Sequence, residues 1–151
     1  MNLNRLSTIT LLLLLSSTWN SAALSKGDDD NAAENDVSIE KVTLVRDAGD
    51  KFDPVESFKP TDTFGVLVKL SEAKMGTQVK AIWMIVDAGG VKNKKIFEKE
   101  VTLTPEAVKG AKEPSRIDFT LSHDHPYPAG QYKTEIYLNT ELVDTVEFEI
   151  E

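Results

Sequence analysis

The sequence has no cysteine, and that absence removes disulfide frameworks, thiolate metal sites, thiol redox motifs and lipid attachment through sulfur. Histidine is reduced to two copies and aromatic residues to 7% of the chain. Positive charge is also short. The chain has 17 Lys and Arg against 25 Asp and Glu, a formal net charge of −8 over 151 residues. Nucleic acids and anionic membranes are held by clustered Lys and Arg, so this balance argues against both as partners. Asn-x-Ser/Thr sequons are missing, and after residue 23 no apolar run is long enough to span a bilayer.

Residues 1–23 show the three parts of an export signal. Arg5 is a short positive region, residues 9–15 are an apolar core containing five consecutive leucines, and Ser21-Ala22-Ala23 supplies small residues for cleavage after Ala23. The apolar run is too short for a membrane anchor, and Thr18, Trp19 and Asn20 interrupt its end. The mature chain is expected to be periplasmic or secreted. Lack of cysteine and sequons despite an oxidising route fits a bacterial exporter better than a eukaryotic one.

Residues 24–36 hold five acids, one lysine and almost nothing apolar, so they read as an acidic disordered leader. Asp28-Asp29-Asp30 lacks the alternating ligands and glycine of a calcium loop and reads as a solvated tail. From residue 37 to 151 the pattern becomes period-two alternation between turn residues, which predicts one all-β domain. Seven runs qualify as strands: 37–46, 64–70, 78–86, 95–103, 116–121, 131–139 and 142–150. In the first, Val37 and Ile39 are out of phase with Val42 and Leu44, which predicts a bulge or a change of sheet near Glu40-Lys41. Thr104-Pro105 predicts one helical turn ending at Gly110. Asn139-Thr140-Glu141 predicts a tight hairpin, and the stretch 47–63 is the main irregular loop.

Seven short alternating strands predict a two-sheet antiparallel sandwich. Trp83, inside Ala81-Ile82-Trp83-Met84-Ile85-Val86, resembles the buried tryptophan of immunoglobulin-like folds, and Tyr132 after Gly130 resembles their tyrosine corner. Pro128-Ala129-Gly130-Gln131-Tyr132, the hairpin at Tyr137-Leu138-Asn139 and the closing Phe148 are similar to the end of exported bacterial immunoglobulin-like modules. Phe64 after Pro60-Thr61-Asp62-Thr63 resembles their second strand, and Gly76-Thr77-Gln78-Val79 with Trp83 their third. The resemblance implies a seven-stranded antiparallel immunoglobulin-like β-sandwich over residues 37–151 and no particular chemistry.

Ser122-His123-Asp124 is not read as a triad, because consecutive residues on an extended chain point to opposite sides. No nucleophile motif is present, so no catalytic residue is assigned. His123 and His125, two apart and before Pro126, face the same way and form a candidate partial site for Cu, Ni or Zn; a solvated turn is the alternative. Lys92, Lys94, Lys95 and Lys99 mark an exposed turn and guard a strand edge. The third run carries an anomaly. With Val79, Ala81, Trp83 and Ile85 facing the core, its other face holds Ile82, Met84 and Val86, where polar residues belong. With Tyr137 and Val143 beside it, this stripe is either a surface for a protein partner or self-association, or lies under the 47–63 loop with Phe52, Val55 and Phe58. The expected function is a non-catalytic binding or assembly module, with metal binding through His123 and His125 as the alternative.

Overall fold

A computed structural model describes residues 36–47 and 51–151. The export signal and almost all of the acidic leader lie outside the described residues. Alternation sorts the rest into nine strands and one helical turn. The strands are β1 (Ile39–Asp47), β2 (Phe52–Pro54), β3 (Ser57–Phe58), β4 (Phe64–Leu70), β5 (Gln78–Ala88), β6 (Val91–Thr102), β7 (Arg116–Leu121), β8 (Gly130–Leu138) and β9 (Glu141–Ile150), with α1 (Pro105–Val108) between β6 and β7. One sheet runs β2-β1-β4-β7 and the other β3-β9-β8-β5-β6. All seven expected runs are present, β5 and β6 being longer than expected.

The count of seven is corrected to nine because the 47–63 stretch holds two strands. β2 pairs with β1 (Arg46↔Asp53), and β3 pairs in parallel with β9 (Phe58↔Ile150). The chain thus crosses from the edge of one sheet to the edge of the other. Strands of two or three residues are too short to leave a periodic signal. The crossing also takes Phe52 and Phe58 away from the outer face, against the covering-loop alternative. Phe58 is 2% exposed in the core, 4.8 Å from the Phe64 ring and 5.2 Å from Phe148, while β2 lies on the other sheet.

Inner faces follow the alternation. Phe64, Val66, Val68 and Leu70 of β4, with Ile117, Phe119 and Leu121 of β7, face Val79, Ala81, Trp83 and Ile85 of β5 and Tyr132 and Ile136 of β8, all buried. The irregularity in β1 is a bulge, with the register on β4 shifting between Ile39 and Lys41. Trp83 is 1% exposed and packs edge-on to Phe119. Tyr132 is a tyrosine corner in geometry: its hydroxyl donates to the Pro128 carbonyl at 2.7 Å while its ring stacks on Phe148. Gly130, just before it, has φ +146°, and a Cβ there would lie 2.4 Å from the Asp87 carbonyl oxygen. Only glycine lets β8 start this close to β5.

Both hairpins of the larger sheet turn through paired positive φ values, Gly89-Gly90 (58° and 79°) and Asn139-Thr140 (48° and 77°). That twist matches the twist of the strands they join. Asn139 Oδ1 also accepts from the Gln78 amide at 2.9 Å, tying the second hairpin to β5. Thr104 caps α1 by accepting from the Ala107 amide, with Pro105 at the first position.

Thr134 is the core's weak point, fully buried on β8 with its hydroxyl unpartnered. Burying a hydroxyl without a partner is costly, and an apolar group of the same shape removes that cost. Thr134→Val is expected to raise stability by about 1 kcal/mol, measured by chemical denaturation; a loss of stability would mean that the hydroxyl finds a partner.

Candidate functional site

β5 is flanked by β8 and β6, so its outward residues lie inside the sheet's exposed face, one strand in from the β6 edge. Ile82, Met84 and Val86 follow one another along it, each half-buried. Charge borders them on both sides. Ile82 sits between Glu98 and Glu135, and Met84 between Lys95 and Lys133. The apolar row is a strip between two charged rows, with the strip supplied by one strand and the charges by its neighbours.

The β8 row is a connected network. Lys133 Nζ donates to Glu135 Oε1 at 2.6 Å, the Tyr137 hydroxyl donates to Glu135 Oε2 at 3.0 Å, and Lys80 Nζ lies 4.7 Å above the Tyr137 ring. The Lys133 hydrogen bond, joined by that from Tyr137, holds the Glu135 carboxyl below the ordinary carboxylate range. The same contact raises Lys133, and the hydrogen bond to Glu135 raises the Tyr137 phenol. The signal for this network was the alternation Lys133-x-Glu135-x-Tyr137, which puts all three on one face.

Four of the five residues expected on this surface come together there: Ile82, Met84, Val86 and Tyr137. Val143 does not. The β8–β9 register shifts after Ile136, which pairs with Asp144, whereas Tyr137 pairs with Leu142, leaving Val143 as the extra residue. Leu142, 49% exposed, takes the position beside Tyr137. Val143 lines a cleft of about 710 Å³ at the end of the sandwich, with Val37, Ile39, Met75 and Leu138. A one-residue bulge flips every later side chain, and nothing in the local sequence announces it.

The His123-His125 segment is built differently. The half-buried His123 ring lies 4.6 Å from Tyr127 and 5.6 Å from Phe64. Its Nε2 is 3.0 Å from the Asp62 carbonyl oxygen, which can only accept, so Nε2 carries the proton and has no lone pair for a metal. Nδ1 is buried and unpartnered. His125 is exposed, and among the described residues no group of three or more His, Asp or Glu is arranged to hold a metal ion. Neither ring nitrogen bonds Ser122 or Asp124, so these three residues make no triad. Lys92, Lys94, Lys95 and Lys99 are exposed along β6, the terminal strand of the sheet.

Two expectations follow. Glu135→Gln is expected to cost about 1 kcal/mol at neutral pH. A carboxylate held low stabilises the fold above its unfolded value of about 4.3, and that stabilisation is lost as pH falls through the lower folded value. The gap between wild type and Glu135→Gln should therefore close on acidification below that point; a gap independent of pH would show that the charge is not responsible. His123→Ala is expected to cost about 1–2 kcal/mol and His125→Ala under about 0.5 kcal/mol. Cu²⁺ or Ni²⁺ should shift the melting temperatures of wild type and the double alanine variant alike, whereas a rise confined to wild type would establish chelation.

Among solved structures, an immunoglobulin-like protein from Pseudomonas aeruginosa matches 79% of this chain and 99% of its own, with a TM-score of 0.51 and 16% identity. No protein-family model matches the chain, and no curated protein does. At 16% identity the likeness concerns fold, and with the two sheets, the buried Trp83 and the Tyr132 corner it makes this domain an immunoglobulin-like β-sandwich.

Proposed function

We propose that this chain is a non-catalytic binding or assembly module, exported by a bacterium to the periplasm or beyond, and that it meets a protein partner with the outer face of its five-stranded sheet. The observation that carries the reading is the Ile82, Met84 and Val86 row, which runs along an interior strand of that face while residues 52–54 pair at the edge of the other sheet and residues 57–58 at the far edge of this one, with Phe58 in the core. An apolar centre inside a charged rim is the anatomy of a protein interface. Tyr137 and Leu142 extend the centre toward the β8–β9 hairpin. The export half of the reading is supported by the pattern of residues 1–23.

A photo-crosslinker at position 84, in protein made by its native host, is expected to capture a partner that the same group at Asp118, exposed on β7 of the other sheet, does not. The mass of the recovered protein should place its N-terminus near Leu24. Met84→Asp should abolish capture by a crosslinker placed at Val86 while leaving the melting temperature nearly unchanged. No capture from position 84, or destabilisation of Met84→Asp by several kcal/mol as for a buried unpaired charge, would sink the interface.

A further inference from the structure

The two sheets do not end together on the β6 side. The four-stranded sheet stops at β7, whereas the five-stranded sheet continues past β5 to β6. Trp83 of β5 still reaches the opposite sheet, 6.4 Å from the Phe119 ring of β7, and the inward residues of β5 are buried. Their neighbours on β6 are not. Lys94, Phe97 and Lys99 stand opposite Ile85, Trp83 and Ala81, so they share the inward side, yet all three are exposed. β6 therefore overhangs β7, and its inward row meets solvent.

Their spacing is regular. Ile85, Trp83 and Ala81 are two apart on β5, so Lys94, Phe97 and Lys99 lie at even steps of about 7 Å. Ile96 is the extra residue at the register shift, and it keeps Lys94 in phase with Phe97 although the two are three apart in sequence. Phe97 lies 5.7 Å from the Trp83 ring with 37% of its surface open. Charge differs between the two sides of the strand. On the outer side Lys92 pairs with Asp87 and Lys95 with Glu98. On the inward side Lys94 and Lys99 have no ion pair among the described residues. The overhang thus presents an open aromatic ring between two uncompensated cations, on a chain of net charge −8.

We propose that this overhang docks an extended acidic segment of a protein partner, with carboxylates two positions before and two positions after an apolar residue. In an extended segment those three side chains share one side, at the same steps of about 7 Å. The apolar residue covers the Phe97 ring, and the carboxylates meet the Lys94 and Lys99 ammonium groups in charge-assisted hydrogen bonds. Recognition runs through side chains, so no strand is added to the β6 edge. Charge complementarity sets the class of partner, since a basic segment is repelled by both lysines. A single-stranded nucleic acid shares the sign of an acidic segment, but its run of phosphates calls for a continuous basic groove, and here two lysines stand on an acidic chain. The overhang lies on the opposite side of the sheet from Ile82, Met84 and Val86, so it holds whether or not the outer face binds a partner.

A fluorescent peptide, Gly-Glu-Thr-Phe-Thr-Glu-Gly, is expected to bind the purified chain in low salt and to saturate below about 1 mM. Lys94→Glu and Lys99→Glu should each weaken it by about tenfold, and added salt should weaken it too. Lys92→Glu makes the same charge change on the outer side of the strand and should alter binding by less than about twofold. The peptide with lysine in place of both glutamates should prefer the Lys94→Glu/Lys99→Glu variant to wild type, because both sides of the complement are then reversed. On binding of the acidic peptide the Phe97 ring resonances should move and the Met84 methyl resonance should stay. Four results would overturn the proposal: no saturation by about 1 mM, equal losses from Lys92→Glu and Lys94→Glu, movement at Met84 in place of Phe97, or tighter binding of a single-stranded oligonucleotide.

Discussion

The aromatic cluster at one end of the sandwich is the contact on which the rest of the structure depends. Phe58, Phe64, Phe148, Tyr132 and Tyr127 form a chain of ring contacts between 4.8 and 6.2 Å, drawing on β3, β4, β9, β8 and the segment before β8. These elements belong to both sheets. Buried aromatic rings contribute large apolar areas and add edge-on and stacked contacts beyond them. The cluster also holds the crossing segment: Phe58 enters it, Tyr127 N–H donates to the Pro60 carbonyl, and His123 reaches the Asp62 carbonyl. His123 is accordingly best understood as a member of the packing whose polar edge satisfies a backbone oxygen.

Once β2 and β3 are held at the sheet edges and Phe58 in the cluster, the outer face of the larger sheet is left to its own side chains. On β5 those are apolar, and on β8 and β6 they are charged. Long charged side chains can lie their stems along an apolar strip while keeping their heads in water. The Lys133-Glu135-Tyr137 network, with Lys80 on the Tyr137 ring, keeps the β8 side of that rim in one arrangement. The same sheet thus offers a face with an apolar strip, which follows from the composition of β5.

Much of this was legible along the chain. Period-two alternation located every long strand and assigned the buried faces of β4, β5, β7, β8 and β9, because a strand's geometry forces successive side chains apart. Gly89-Gly90, Thr104-Pro105 and Asn139-Thr140 marked their turns and cap, since each meets a local backbone demand. The phase break at Glu40-Lys41 foretold the β1 bulge. Tyr132 after Pro128-Ala129-Gly130 foretold the corner.

What the sequence determined by itself was therefore local: where strands run, which way their residues point, and which residues turn the chain. Tertiary structure decided what depends on residues far apart. It placed Phe58 in the core, where two short strands gain their stability from β1 and β9 instead of from their own sequence. It moved Val143 off the outer face through a bulge set by the register of β8 on β9. It separated the roles of His123 and His125 by offering a carbonyl to one ring and water to the other. And it left β6 as the terminal strand of its sheet, so that the basic cluster read along the chain lies exposed on that strand. Alternation within one strand reflects covalent geometry, whereas pairing between strands depends on the packing of the whole chain.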